Sequence, residues 1–155
     1  MGIKAKDIMT RNVITVRGEL KVNDLIDIFI DNGISCAPVV DKKGKLIGIV
    51  TKTDIIGHFM DLDLDLTVKM GLKDLMDSSP DLEKLSIASE TQLDVSNIMS
   101  PNPVSARESW TVVKLAETML DNQIHRLVIT KGKKLTGIVS TIDLISHIAG
   151  RKNND

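Results

Sequence analysis

Aromatic side chains are nearly missing from this chain. Trp110, Phe29 and Phe59 are the whole set among 155 residues, and there is no tyrosine. A core must therefore be assembled from Ile, Val, Leu and Met, and the scarcity argues against base-stacking platforms for single-stranded nucleic acid. Cysteine is scarcer still. Cys36 alone allows neither an intramolecular disulfide nor a cysteine-based metal site, and in its apolar run it reads as a small packing residue. No sign of charge dominates: the formal net charge is −1 and the pI about 6.3, so no whole-domain basic footprint points to nucleic acid. No stretch approaches the ~18 apolar residues of a membrane span. The opening MGIKAKDIMT lacks the apolar segment of a signal peptide, so a cytoplasmic location is expected.

Signatures of chemistry are missing too. Asp61-Leu62-Asp63-Leu64-Asp65 opens like a calcium loop, but Leu66 stands where glycine is needed and Leu72 where glutamate should be. It reads as a solvated acidic stretch. His58, His125 and His147 have no i, i+4 spacing and no second ligand motif. There is no Gly-x-Ser-x-Gly elbow and no Cys–His signature. The sequence therefore assigns no catalytic residue, no metal ligand and no required cofactor, and an enzyme is the function class with least support. Lys131–Lys134, with Arg107 and Arg151, make a local basic patch; on a near-neutral domain this reads as hairpin solubility rather than DNA binding.

What the chain does have is an internal repeat. Asp7-Ile8-Met9-Thr10 returns as Asn97-Ile98-Met99-Ser100, each position moved by 90. Val22, Leu25, Ile26 and Phe29 return at the same offset as Val112, Leu115, Ala116 and Met119. Spacings of 3, 1 and 3 put each set on one stripe of a helix. Gly33 supplies a left-handed stop for the first helix, whereas its counterpart Gln123 does not. Ile34–Val40 and Ile124–Thr130 then read as strands, each followed by a lysine- and glycine-containing turn and a second strand. Leu66, Met70, Leu72, Leu75 and Met76 suggest an amphipathic helix limited by Pro80, with further packing at Leu82, Leu85 and Ile87. The expected organisation is repeat 1 over residues 1–59, a helical insertion over 60–93, repeat 2 over 94–150 and a frayed tail over 151–155. Neither half is long enough to bury a good core alone, so the two are expected to pack sheet to sheet about a pseudo-twofold axis.

Each half ends on the same motif. Gly48-Ile49-Val50-Thr51-Lys52-Thr53-Asp54 and Gly137-Ile138-Val139-Ser140-Thr141-Ile142-Asp143 both read Gly-apolar-apolar-hydroxyl-x-x-Asp ahead of a helical pattern. A glycine within a strand often marks a close approach to the backbone. Free N–H groups and the helix dipole at such an end favour a phosphate, and the carboxylate can accept two hydrogen bonds from vicinal hydroxyls. The same spacing is a capping-box signature that needs no ligand. The two readings coexist.

These motifs, with the stretches GISCAPVVD and GKLIGIVTKTDII, make the chain similar to a tandem pair of cystathionine-β-synthase (CBS) domains, a Bateman module. The resemblance covers all but the 60–93 insertion. It implies an α/β fold of the α+β type, with two β-α-β-β-α repeats. It also implies a regulatory module that binds adenine nucleotides (AMP, ADP or ATP) or an adenosyl ligand such as S-adenosylmethionine in clefts between the repeats. Carried over by position, Asp54 and Asp143 would hold ribose hydroxyls, with Thr51 and Ser140 near the ribose or phosphate. Ile34, Ser35 and Cys36, and Ile124, His125 and Arg126, would line the clefts, and Ile14 and Val104 would touch the adenine. His125-Arg126 resembles the phosphate-contacting stretch of the energy-sensing kinase's γ-subunit, and arginine can bind phosphate bidentately. Ser35-Cys36 offers no positive charge, so unequal sites are expected. Which aspartate shares a site with His125 stays open.

The resemblance further implies a flat homodimer and an output carried by a separate protein partner, since no kinase-binding segment, channel, transporter or enzyme domain is recognised in the chain. Three function classes remain: a ligand sensor, a ligand-independent dimerisation scaffold, and a nucleic-acid-associated regulator that the composition disfavours. Loss of ribose binding on changing Asp54 and Asp143 separates the first two, and steep salt dependence would mark the third.

Overall fold

The computed structural model describes residues 2–61 and 92–151. The expected insertion helix, the packing turn after it, the acidic run from Leu62 onward and the last four residues of the tail lie outside them. In chain order the elements are α1 (Ala5–Ile8), β1 (Val16–Arg17), α2 (Val22–Asn32), β2 (Cys36–Val40), β3 (Leu46–Thr51) and α3 (Lys52–Asp61). The second copy gives α4 (Val95–Ile98), β4 (Ser100–Pro101), β5 (Ser105–Arg107), α5 (Val112–Asp121), β6 (Arg126–Lys131), β7 (Lys134–Ser140) and α6 (Thr141–Ile148). This is a mixed α+β fold with two sheets, ordered β1-β2-β3-β4 and β5-β6-β7.

The compact units do not follow the repeats: each takes its lead-in from the other copy. One unit holds Thr15–Asp41 and Ile47–Pro101; the other holds Met1–Ile14, Lys42–Leu46 and Asn102–Asp155. We call them the first-copy and second-copy units after the sheets they carry. In the first, Val22, Leu25, Ile26 and Phe29 of α2 bury their stripe against Val39 of β2, Val50 of β3 and Ile55, Ile56 and Phe59 of α3. Both phenylalanines of the chain are spent in this core. The second-copy core has Leu115, Met119, Leu127, Ile129, Val139 and Leu144, closed by Ala5, Ile8 and Met9 of the N-terminal lead-in. It contains no buried aromatic ring, and Trp110 packs only at its margin.

Each lead-in docks by a one-turn helix followed by a strand pairing. In the first-copy unit β4 runs antiparallel to β3, with Gly48 opposite Pro101 and Ile49 opposite Ser100. In the second-copy unit Thr10 and Ile138 exchange two backbone hydrogen bonds, both 3.0 Å. Local capping fixes the turns: the Lys4 N–H donates to Asp7 Oδ2 at 2.9 Å and the Asp94 N–H to Asn97 Oδ1 at 3.1 Å. Lys21 also meets Asp94 at 2.7 Å, with both side chains over a third exposed, so this pair adds little stability.

Two differences between the copies have simple causes. The β5–β6 ladder begins at Ser105 opposite Val128, whereas the β1–β2 ladder begins one position later, at Val16 opposite Val39. The residue matching Val128 is Pro38, which has no N–H to give. The second difference concerns helix ends. Gly33 ends α2 at φ 61°, and Gln123, without the expected glycine, still adopts φ 53° after α5. The same pair of closing bonds appears at both ends: Gly33 to Ile30 and Ile34 to Phe29, then Gln123 to Leu120 and Ile124 to Met119. A side chain in the left-handed region costs about 1–2 kcal/mol, while glycine loses about 0.4–1 kcal/mol more entropy on folding than alanine. Gln123→Gly should therefore stabilise the protein by about 0.5–1 kcal/mol. Urea denaturation checks this as a higher midpoint at unchanged slope; an unchanged or lower midpoint would show that Gln123 contributes through its side chain.

Candidate ligand site

Both hydroxyl–aspartate edges form, and both are built by capping. At the junction of β3 and α3 the Thr51 N–H donates to Asp54 Oδ2 at 2.7 Å and the Thr51 hydroxyl to the same oxygen at 2.9 Å. The Asp54 N–H returns a 3.3 Å bond to Thr51 Oγ1. At the start of α6 the Ser140 N–H and hydroxyl donate to Asp143 Oδ2 at 2.6 and 2.7 Å, and the Asp143 N–H donates to Ser140 Oγ at 3.3 Å. The cap therefore engages one oxygen of each carboxylate. Among the described residues Asp54 Oδ1 accepts no hydrogen bond, so a ribose hydroxyl has an acceptor there without the cap opening.

The same geometry changes what these edges can offer an anion. The Lys52 N–H donates to Ser35 O at 3.0 Å and the Thr141 N–H to His125 O at 2.9 Å. With the Asp54 and Asp143 amides also engaged, most of the N–H groups that a bare helix end would turn to a phosphate already have partners. Any anion at these edges must be held chiefly by side chains.

Those backbone bonds also bring the strand entries onto the edges. Residues 34–36 meet α3 through Ser35, and residues 124–126 meet α6 through His125, whose carbonyl also accepts the Thr141 hydroxyl at 3.2 Å. Arg126 lies directly opposite Ser140 in the β6–β7 ladder, and facing residues of such a pair have Cβ atoms only ~5 Å apart. Within the second-copy unit His125, Arg126, Ser140 and Asp143 thus share one end of the sheet. His125 is exposed and Arg126 half-buried; in the first-copy unit Ser35 and Cys36 occupy the matching places, both half-buried. Ile34 and Ile124 are partly buried and pack on the two cores, so only their remaining surface is open to a ligand. Ile14 and Val104, at matched positions, are 37% and 38% exposed. Neither is packed into a core.

Sequence reasoning missed two residues here, Met9 and Met99. The glycines that open the motifs do mark a close approach, and what approaches is a methionine from the lead-in of the other copy. A Cβ at Gly137 would lie 2.6 Å from Met9 Sδ and 2.9 Å from Thr10 O; one at Gly48 would lie 2.5 Å from Met99 Sδ and 3.0 Å from Ser100 O. The signal was present, since Ile-Met and Gly are retained in both copies, but nothing local joins them.

The CBS domain model matches residues 5–61 and 95–150, and the chain belongs to that family as a tandem pair. It is 35% identical to protein MJ1426 of Methanocaldococcus jannaschii, over 92% of this chain and 89% of that one. A crystal structure of CBSX2 in complex with AMP matches with a TM-score of 0.71 at 22% identity, covering 96% of this chain and 98% of that one. The CBS domain pair of protein MJ0100, in complex with 5′-methylthioadenosine and S-adenosyl-L-methionine, matches at 0.70 and 21%, covering 97% and 98%. At these identities the two structures speak to the fold. Among the described residues no helix is long and apolar enough to cross a membrane.

Proposed function

We propose that this CBS pair is a non-enzymatic, cytoplasmic sensor of an adenine nucleotide (AMP, ADP or ATP) or of an adenosyl ligand such as S-adenosylmethionine. The observation that carries the reading is the duplicated hydroxyl–aspartate edge, in which the cap leaves Asp54 Oδ1 open. Asp54 and Asp143 would accept the ribose hydroxyls, Thr51 and Ser140 would lie beside them, and Ile14 and Val104 would cover the base. Arg126 and His125 would favour a phosphorylated ligand in the second-copy unit, while Ile34, Ser35, Cys36 and Ile124 would line the rest. The complexes of AMP with CBSX2 and of 5′-methylthioadenosine and S-adenosylmethionine with MJ0100 support this chemistry by likeness of fold. Bound ligand acts by population shift, through its differential affinity for two arrangements that a protein partner distinguishes. The chain works as a homodimer.

A thermal-shift panel tests this with AMP, ADP, ATP and S-adenosylmethionine. A ligand at ~100 times its Kd adds about 2.7 kcal/mol, which in a chain of this size raises Tm by roughly 5 °C or more. Asp54→Ala combined with Asp143→Ala should remove that rise. The double variant also loses the carboxylate half of two capping boxes, so each shift is read from that protein's own ligand-free Tm. No shift with any ligand, in folded protein free of carried-over nucleotide, would leave a second reading, a ligand-independent interaction scaffold. The exposed side chains of Val113 and Leu120 on α5 and of Ile142, Ile145 and Ile148 on α6 favour that alternative.

A further inference from the structure

Six exposed lysines gather at the hairpin end of the second-copy unit, which also holds Lys42–Leu46 of the first hairpin. Lys131 faces Lys134 as the last pair of the β6–β7 ladder. Lys45 faces the same Lys134 from its other side, in an antiparallel bridge. Facing residues share one side of a sheet, with Cβ atoms ~5 Å apart. Lys131, Lys134 and Lys45 therefore form a row of like charge across three strands, roughly 10 Å from end to end at ~4.8 Å per strand. Lys42, Lys43 and Lys133 stand on the two turns beside it. No acid interrupts residues 42–46 or 131–135.

Such a row opposes folding. Like charges directly opposite one another are destabilising, and Lys134 meets one on each side. Neither the turn nor a sheet edge requires it. The first copy has Asp41 where the second has Lys131, so a hairpin of this kind closes without a lysine there. Lysine commonly guards an exposed strand edge, but Lys134 lies between two strands and guards none. A feature that works against stability and serves no local need is what a binding surface leaves in a fold.

We propose that this lysine row, with the three lysines of the turns, docks an acidic segment of a protein partner. The surface rests on the partner in the proposed function and not on its ligand. Charge balance selects the occupant. The formal net charge of the chain is −1, so beside these six lysines the other residues carry −7. A nucleic-acid duplex carries one negative charge per ~1.7 Å of axis. Such a duplex, or the plane of an anionic membrane, would run past a row only ~10 Å long onto surface of its own sign. A short acidic segment ends where the row ends. Acids three or four residues apart on a helix lie ~5–6 Å from each other, close to the spacing of the lysines. No aromatic residue stands on either turn, which removes stacking as another hold on single strands.

Fluorescence anisotropy with a labelled ten-residue glutamate peptide tests this on the wild type, Lys134→Glu and Lys134→Arg. The wild type should bind the peptide, less tightly as added salt screens the charges. It should bind a short DNA duplex and phosphatidylserine vesicles more weakly than the peptide. Lys134→Glu should weaken peptide binding by ~10-fold or more, because the new carboxylate repels the peptide and engages Lys131 and Lys45. The same change turns two repulsions into attractions and should raise Tm by roughly 1–3 °C, so the lost binding is not lost folding. Lys134→Arg should keep the wild-type affinity and Tm. No peptide binding by the wild type, or binding that Lys134→Glu leaves intact, would overturn the surface. An unchanged or lowered Tm in Lys134→Glu would overturn the repulsion and with it the reason for giving the row a function. Tighter binding of the duplex or the vesicles would overturn the acidic segment as occupant. A thermal shift with AMP is read separately: its absence from a wild type that binds the peptide would count against the sensor and leave this surface standing.

Discussion

Alanine at Gly137 is expected to destabilise the protein by about 2 kcal/mol, and alanine at Gly48 by somewhat less. Two effects oppose each other. Alanine restricts the unfolded chain and by itself would stabilise by about 0.4–1 kcal/mol. Against this, the new methyl at 137 would sit 2.6 Å from Met9 Sδ and 2.9 Å from Thr10 O. The sulfur can swing away on a flexible side chain, but Met9 is 5% exposed and has little room. The carbonyl cannot swing, because Thr10 and Ile138 hold each other through two 3.0 Å bonds. Overpacking of this kind costs about 1–3 kcal/mol, and weakening one of those bonds adds ~1 kcal/mol, so the clash wins. At Gly48 the carbonyl distance is 3.0 Å and Met99 is half-buried, which gives the methyl slightly more room.

For a chain this long the Gly137→Ala loss corresponds to a Tm lowered by roughly 4–8 °C. A double-mutant cycle with Met9→Ala identifies the cause. Met9→Ala alone should cost about 2–5 kcal/mol by leaving a cavity, yet the pair should cost less than the two added together, by about 0.5–2 kcal/mol. Strict additivity would mean that the methionine is not what the glycine makes room for.

That contact marks where sequence reasoning reaches and where it stops. The stripe Val22-Leu25-Ile26-Phe29, the hairpins and both hydroxyl–aspartate caps were legible because each is local: helical periodicity, turn residues and a three-residue spacing define them. The exchange of lead-ins was not legible. Asp7-Ile8-Met9-Thr10 and Asn97-Ile98-Met99-Ser100 have nearly the same pattern, so nothing local tells either which glycine it will cover. Gln123 escaped for a related reason. Its positive φ follows from the closing bonds to Leu120 and Met119, which act on a residue whose own preference opposes that backbone. Ile142, Ile145 and Ile148 have the spacing of a buried stripe, and periodicity cannot say whether anything covers it. In the candidate site the residue types were readable, but not the commitment of one carboxylate oxygen to each cap, nor the loss of free amides to Ser35 O and His125 O.

The engaged amides lead to the second large effect: Arg126→Ala should weaken AMP binding by ~10–100-fold and leave adenosine binding nearly unchanged. If backbone N–H groups at the start of α6 were free they could share a phosphate, and losing one side chain would matter less. The Thr141 and Asp143 amides are taken by His125 O and Ser140 Oγ, so the load falls on side chains. Arg126, facing Ser140 across the β6–β7 ladder, is the cation at the end of β6 that borders this edge. A charge-assisted bond is worth about 1.5–3 kcal/mol, which is the stated range of affinity. Arg126→Lys keeps the charge but not the planar fork, and should fall between wild type and alanine. Calorimetric titration with AMP and adenosine on the three proteins measures the contrast directly, and added salt should narrow it by screening the phosphate. Equal losses for the two ligands would make Arg126 a structural residue of β6. No loss for either would move phosphate recognition away from the second-copy edge altogether. The matching Cys36 brings no charge to the first-copy edge, so whatever binds there should discriminate little between AMP and adenosine. A chain whose two copies share one proposed ribose-binding pattern would then read the phosphate with only one of them.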